Sequence, residues 1–185
     1  MKILHTADLH LGKTFHEHPL IEDQQHMLGQ LTRLLVDEGD YQALIMAGDI
    51  YDRAVPSPEA VELFGSFLSN LRRALPQLQI IIISGNHDAA GRISYFSELL
   101  EKSGVHMSAV FDGKLQSVPS PDGSAIIHLL PFLRPLDVRK FYPDEKIETY
   151  EDAVRVVLEH SPIDKSQLNI LLCHQFITGG KICES

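Results

Sequence analysis

Carboxylate, amide and imidazole side chains follow each of four apolar segments of this sequence. In chain order they are Asp8 and His10 in TADLHLG, Asp49 in AGDIYDR, Asn86, His87 and Asp88 in SGNHDAAG, and His174 in CHQF. Oxygen and imidazole donors without thiolate suit the Mn, Fe or Zn ions of catalytic sites. An aspartate that bridges two ions about 3.5–4 Å apart is typical of two-metal hydrolases. Asp49, in the central motif, is the natural bridge.

Each of these motifs, taken alone, fits a structural role equally well. GNHD could form an Asx-rich turn, AGD could end a strand and cap a helix, and Asp8 and His10 could lie in a solvated loop. Four such motifs behind four apolar segments are harder to explain structurally. Because ligands of open α/β sheets bind at the carboxyl ends of the strands, the combination favours one functional site.

The apolar segments are continuous rather than alternating, which is typical of buried parallel strands. The predicted strands are Lys2–Thr6, Ala43–Ala47, Gln79–Ser84 and Asn169–Cys173. Helical patterns separate them, at about 21–38, 58–75, 93–102 and 150–160. Residues 105–130 are predicted to form short antiparallel strands with a turn at Ser120–Gly123. The sequence therefore predicts strand–helix alternation with an antiparallel region late in the chain.

Composition places limits on the class of protein. The 185 residues are 44% apolar, which suits one α/β domain with a sizeable core. No run of about 18 apolar residues exists, so no membrane span is expected, and the start MKILHTADLH does not resemble a signal peptide. The two cysteines are too few for a disulfide framework, which favours a reducing cytoplasm. The net charge of −9 argues against non-specific nucleic-acid binding through a basic face.

Two further motifs have a functional and a structural interpretation. His16 and His18 flank a glutamate in FHEHP, where a solvated loop is favoured over a metal pair. Arg134 in FLRP could contact a substrate phosphate, although a turn fixed by Pro131 and Pro135 explains the motif as well.

The motifs resemble those of a known superfamily. DLH, GD after a strand, GNHD and a later strand-end histidine resemble the calcineurin-like metallophosphoesterases. More closely, MKILHTADLHLGK, AGDIYD near residue 50, PFLRP at 131–135 and HQFITGG at 174–180 resemble the SbcD family, the nuclease subunits of bacterial SbcCD nucleases. The resemblance covers the whole chain. It implies the calcineurin-like metallophosphoesterase fold, an α/β fold in which a β-sandwich is flanked by helices (αββα).

The resemblance also implies roles for the motif residues. The ligands of the first metal ion would be Asp8, His10 and Asp49, and those of the second Asp49, Asn86 and His174. His87 would be the general acid that protonates the leaving 3′ oxygen, and Asp88 would orient it. The two ions would be divalent, with Mn²⁺ favoured.

Activity and partners follow from the same resemblance. Such subunits cut phosphodiesters in DNA, as 3′→5′ exonucleases on duplex ends and endonucleases on single strands and hairpins, in DNA repair, recombination and replication. Their partner is the SbcC subunit, an ABC-type ATPase on a long coiled coil. Two nuclease subunits pair within an SbcC–SbcD heterotetramer, so a cytoplasmic, nucleoid-associated location is implied. An equivalent of helix 58–75 contributes to that pairing, so Phe64, Phe67 or Leu71 are expected to be partly exposed.

The sequence departs from the family pattern in two places. None of the ten histidines lies in the Gly-His-x-His motif that completes both metal shells in the family. Residues 1–185 are therefore expected to be a truncated metallophosphoesterase domain, without the capping and ATPase-docking parts. Asp52 stands where eukaryotic and archaeal relatives carry a histidine, so a role assigned to that histidine does not transfer.

Two alternatives remain open from the sequence. The chain could be a nucleotide phosphodiesterase or phosphatase of the same superfamily, an alternative that FLRP disfavours. It could also be a non-catalytic fragment that keeps dimerisation or partner binding, which the missing histidines favour.

Overall fold

The computed structural model describes residues 1–88 and 103–176. The strands are β1 (Ile3–Thr6), β2 (Thr14–Phe15), β3 (His18–Pro19), β4 (Ala43–Ala47), β5 (Gln79–Ile83), β6 (Val105–Ser108), β7 (Gln116–Pro119), β8 (Ala125–Leu130) and β9 (Leu168–Cys173). The helices are α1 (Ile21–Glu38), α2 (Pro58–Ala74), α3 (Pro135–Arg139) and α4 (Tyr150–Glu159). Among these elements, none is a helix long and apolar enough to cross a membrane.

Two sheets stack face to face to form a sandwich. The first has the order β1-β4-β5-β6 and is parallel throughout, while the second has the order β7-β8-β9. Alternate residues of the first sheet face opposite ways: Leu44 and Met46 join the core shared with α1 and α2. Ile45 and Ala47 pack instead against residues of the second sheet such as Ile127. Both faces of the central strands β4 and β5 are thus buried, which explains their continuous apolar sequences.

Local sequence signals determine where the helices begin and end. Helix α1 ends at Gly39, which adopts the left-handed conformation with φ 67°. Helix α2 begins after Ser57, whose hydroxyl accepts a hydrogen bond from the Ala60 backbone N–H. Helix α4 begins with a reciprocal capping box between Thr149 and Asp152. Helices α3 and α4 cover the outer face of the second sheet, so the layers follow the predicted αββα order.

The structure corrects two details of the sequence-based prediction. Residues 105–108 pair in parallel with β5 in the first sheet, whereas only β7 and β8 form the expected antiparallel pair, with a turn at Ser120–Gly123. Strand β9 belongs to the second sheet and pairs in parallel with β8, because its inward residues complete the core between the sheets. The predicted helix at 93–102 lies outside the described residues.

The expected exposure of the α2 stripe is also wrong for this chain. Phe64, Phe67 and Leu71 are buried in the core between α2 and the first sheet. Val61, on another face of the helix, is 48% exposed. The stripe therefore stabilises the fold, and any pairing surface on α2 would use other residues.

Candidate metal centre

The loops after β1 and β4 adopt backbone conformations that most residues avoid. Asp8, His10 and Asp49 all have positive φ, at 55°, 42° and 50°. Backbone hydrogen bonds join the two loops, from the Asp8 N–H to the Gly48 carbonyl at 3.1 Å and from the His10 N–H to the Asp49 carbonyl at 2.9 Å. Strained conformations of this kind persist where surrounding contacts enforce them, and they cluster at functional sites.

Two glycines allow these loops to approach each other closely. A Cβ at Gly85 would lie 2.1 Å from Oδ1 of Asp49, and one at Gly48, where φ is 87°, would lie 2.5 Å from Nδ1 of His174. No side chain can occupy either space. The glycines therefore permit the carboxylate and the imidazole to pack directly against backbone.

Asp49 lies at the centre of the site, as its predicted bridging role requires. Its side chain is only 4% exposed, and Oδ2 is 3.8 Å from Nε2 of His10 and 3.5 Å from Nε2 of His174. The same Nε2 of His10 lies 3.8 Å from Oδ1 of Asp8. Two overlapping groups of possible metal ligands result, one of Asp8, Asp49 and His174 and the other of His10, Asp49 and His87.

Both ring nitrogens of His174 face hydrogen-bond acceptors. Nδ1 lies 2.7 Å from the Ala47 carbonyl and donates to it, so Nε2 of the neutral ring carries a lone pair. That Nε2 faces two further acceptors, Oδ1 of Asn86 at 3.2 Å and Oδ2 of Asp49 at 3.5 Å. With a neutral ring three acceptors converge here, an arrangement that a cation between them would stabilise. This donor set fits a divalent metal ion.

His87 is held in a similar way. Its backbone N–H donates to Oδ1 of Asp49 at 2.9 Å, and its Nδ1 lies 2.9 Å from the carbonyl of Asp52. Because Nδ1 donates to that carbonyl, Nε2 remains available for chemistry. The ring meets that of His10 edge-on, with centroids 5.0 Å apart.

The contacts of Asp88 differ from the predicted ones. Its carboxylate accepts backbone hydrogen bonds from Gly85, Ile50 and Tyr51 at 2.8, 3.2 and 3.0 Å. The ring of His87 is instead oriented by the Asp52 carbonyl. Burial raises the pKa of Asp88, and the three N–H donors oppose the rise. Asp88 therefore ties the loop after β5 to the loop after β4, because its position favours backbone donors over the imidazole.

A buried glutamine on α1 was missed by the sequence analysis. The Gln24 side chain accepts from the Gly12 N–H at 2.9 Å and donates to the carbonyls of His10, at 2.8 Å, and Leu9, at 3.3 Å. It therefore holds the loop that carries His10. The signal was present, since Gln24 lies four residues before the core residue Leu28 on the buried face of α1.

Cavities with basic residues lie on two sides of the centre. One, of about 440 Å³, is lined by Asn86, the predicted substrate contact Arg134, Lys140 and the aromatic rings of Phe132 and Phe141. Arg134 thus shares a cavity with Asn86, a candidate metal ligand. The other cavity, of about 500 Å³, is lined by Lys13, Arg53 and Asp52. Both could receive parts of an anionic substrate longer than the reacting phosphate.

Comparisons with known proteins show which family the chain resembles. The SbcD subunit of the SbcCD nuclease from Staphylococcus epidermidis is 36% identical over 189 residues, which cover 100% of this chain and 49% of that protein. Its counterpart from Staphylococcus saprophyticus is 34% identical over 190 residues, again covering 49% of that protein. The chain thus spans about half the length of these curated relatives, and the predicted resemblance to SbcD proteins is confirmed. The family model for calcineurin-like phosphoesterases matches residues 1–181, so this chain belongs to that family of metal-dependent hydrolases.

Proposed function

We propose that this chain carries the catalytic centre of a Mn²⁺-dependent DNA nuclease that hydrolyses phosphodiesters with two metal ions. The observation that supports the proposal most strongly is the convergence of possible ligand atoms on Asp49, with Nε2 of His10 and of His174 both within 3.8 Å of Oδ2. The first ion would be held by Asp8, His10 and Asp49. The second would be held by Asp49, Asn86 and His174.

The chain's own groups divide the remaining work. When bound, the two ions would polarise the phosphate and lower the pKa of the attacking water. His87 would act as the imidazolium, with its Nδ1–H donated to the Asp52 carbonyl and its Nε2–H passing to the leaving oxygen. Asp88 fixes the backbone that carries these groups. Arg134, beside Asn86, would contact a neighbouring phosphate.

The substrate class is inferred from the similarity to SbcD nuclease subunits and from the flanking cavities. A strand of DNA extends beyond the reacting phosphate, and the cavities that contain Arg134 and Arg53 would receive its neighbours. In the whole protein we propose 3′→5′ exonuclease and single-strand endonuclease activity in DNA repair. The proposal includes pairing with a second copy and assembly with an SbcC-type ATPase in the cytoplasm.

The net charge of −9 bears on binding by this chain alone. Two divalent ions add about four positive charges where the phosphate lies, so local attraction survives the overall charge. We expect weak DNA affinity with strong salt dependence. An Arg134→Ala variant should lower the salt slope by about one and weaken binding to all sequences alike. Nanomolar binding at physiological salt that Arg134→Ala leaves intact would contradict this part of the proposal.

The first test is metal stoichiometry, measured by native mass spectrometry after dialysis against Mn²⁺. We expect two ions per chain in the wild type and loss of both in Asp49→Ala. Asp164→Asn is the matched control, because Asp164 is a carboxylate in a remote turn. One ion or none in the wild type would favour a non-catalytic fragment that needs further ligands.

A second test separates the roles of His87. As a general acid it should be dispensable for metal binding, so His87→Ala should keep both ions while turnover falls about 10²- to 10⁴-fold. Loss of an ion in this variant would make His87 a ligand, as its proximity to His10 and Asp49 also allows. Cleavage of nucleotide phosphodiesters with no cleavage of DNA would favour the alternative phosphodiesterase function.

A further inference from the structure

One ring nitrogen in the metal centre has no hydrogen-bond partner. Nδ1 of His10 is buried, and no described group lies within hydrogen-bond distance of it. Nε2 of the same ring faces Asp8 and Asp49. If Nε2 is to bind a cation, the ring proton must reside on Nδ1, where it needs an acceptor.

The carboxylate of Asp52 is the group placed to accept that proton. Its Oδ1 lies 3.7 Å from Nδ1 of His10, just beyond hydrogen-bond distance, and the Asp52 side chain is only 20% exposed. The other oxygen lies 3.7 Å from Nε of Arg53, whose side chain is 74% exposed. A displacement of a few tenths of an ångström closes the contact with His10.

The backbone of Asp52 serves the second histidine of the same site. Its carbonyl oxygen lies 2.9 Å from Nδ1 of His87. Its N–H donates to the Leu11 carbonyl at 3.1 Å, and the Leu11 N–H donates to the Ile50 carbonyl at 2.9 Å. These bonds fix the backbone of Asp52, and with it the carbonyl, beside the loop that carries His10.

We propose that Asp52 is the positioning residue of the site, its carboxylate fixing the Nδ1–H tautomer of the ligand His10 and its carbonyl fixing that of His87. Asp52 touches neither reacting atom and acts through the two rings. The inference rests on the proposed metal centre for its consequence, but its geometry concerns the metal-free protein. Because substitution removes the carboxylate and keeps the carbonyl, the effect on His10 can be tested separately.

The experiment compares Asp52→Ala and Asp52→Asn with wild type. Ring ¹⁵N chemical shifts of the metal-free protein report the tautomer of each histidine, and Mn²⁺ titration followed by electron paramagnetic resonance reports affinity. In Asp52→Ala we expect His10 to shift toward the Nε2–H form and its ion to bind about 10- to 100-fold more weakly. His87 should keep its tautomer, and the ion at His174 should keep its affinity. Asp52→Asn retains an acceptor oxygen without the charge, so its His10 tautomer and Mn²⁺ affinity should change less than in Asp52→Ala.

Glu59→Gln is the matched control, because Glu59 lines the same cavity as Asp52 with no contact to either ring. It should behave as wild type in both measurements. Unchanged His10 shifts and an unchanged isotherm in Asp52→Ala would overturn the inference. If the wild type binds no Mn²⁺, the proposed function fails, and the ring shifts alone still decide whether Asp52 sets the tautomer.

Discussion

Two histidines show how the middle of the second sheet differs from the candidate metal centre. His128 on β8 is 5% exposed, and both ring nitrogens are bonded, Nδ1 to the Ser117 hydroxyl at 2.7 Å and Nε2 to Oδ1 of Asn169 at 2.8 Å. His174, at the end of β9, has Nδ1 bonded to the Ala47 carbonyl, while its Nε2 faces Oδ1 of Asn86 at 3.2 Å and Oδ2 of Asp49 at 3.5 Å. The kind of hydrogen-bond partner separates the structural histidine from the candidate ligand. The ring of His128 has one donor and one acceptor, whereas both nitrogens of His174 face acceptors, which a neutral ring cannot satisfy at once.

The hydrogen bonds around His128 show why neither of its ring nitrogens is available to a metal ion. The amide nitrogen of Asn169 donates to the carbonyls of Asp164 and Gln167, so its oxygen must be the acceptor for His128. The Ser117 hydroxyl then donates to Nδ1. Every group has a neutral partner, and nothing is left to bind a cation.

The largest effect is expected at Asp49, in the middle of the candidate metal centre. Asp49→Ala should weaken Mn²⁺ binding at both sites by more than about 100-fold, because both proposed shells include this carboxylate. Isothermal titration calorimetry would measure the loss. Retention of either ion at wild-type affinity would mean that Asp49 is not the bridge.

Exchanging the two histidines for alanine tests the comparison directly. His128→Ala should lower the free energy of unfolding by about 2–4 kcal/mol, since it leaves a cavity and two unpaired polar groups. It should leave Mn²⁺ affinity unchanged. His174→Ala should do the reverse, with about 1 kcal/mol of lost stability from one hydrogen bond and a large loss of affinity for one ion. Urea unfolding would measure the stability of both variants, and calorimetry would measure their Mn²⁺ affinity. Equal losses of stability and of affinity in the two variants would contradict the distinction between a structural histidine and a metal ligand.

Mn²⁺ bound at the metal centre should stabilise the folded protein independently of the hydrogen bonds around His128. At 100 times its dissociation constant, Mn²⁺ should raise the free energy of unfolding by about 2.7 kcal/mol per ion, because it binds the folded state alone. Chelation should reverse the gain. The increment should persist in His128→Ala and vanish in Asp49→Ala, as followed by thermal unfolding at matched protein concentration.

The smallest effect is expected at Ser117, a hydrogen-bond partner of His128. Ser117→Ala removes one donor to His128 and should cost about 1 kcal/mol of unfolding free energy. Ser124→Ala, at an exposed turn position, provides the control. A cost as large as that of His128→Ala would mean that the serine, rather than the ring, maintains the network.

Much of this comparison was accessible from the sequence, and part of it was not. The predicted strand at Ala43–Ala47 and helix at 21–38 match the observed bounds, because apolar periodicity and Gly39 determine them locally. The family and the fold were likewise predicted correctly. The residue types of the site could be identified, because His10, Asp49 and His174 each follow an apolar strand.

The errors arise where partners lie far apart in the chain. Pairing of β6 with β5 and of β9 with β8 depends on sheet assembly, which periodicity does not encode. The same holds for Asp88, whose backbone partners Ile50 and Tyr51 lie 38 and 37 residues away. The sequence shows that Asp88 follows His87, but it does not show which backbone N–H groups compete with the imidazole for the Asp88 carboxylate.

The position of β9 gives the metal centre a mechanical consequence. His174 extends from the second sheet, whereas Asp49 and Asn86 extend from the first. An ion held by all three would therefore link the two sheets at the edge where these residues meet. Mn²⁺ should then suppress slow separation of the sheets at that edge. Amide hydrogen exchange would record this as added protection concentrated in β9 and the end of β4, with β7, on the far edge, exchanging at its metal-free rate.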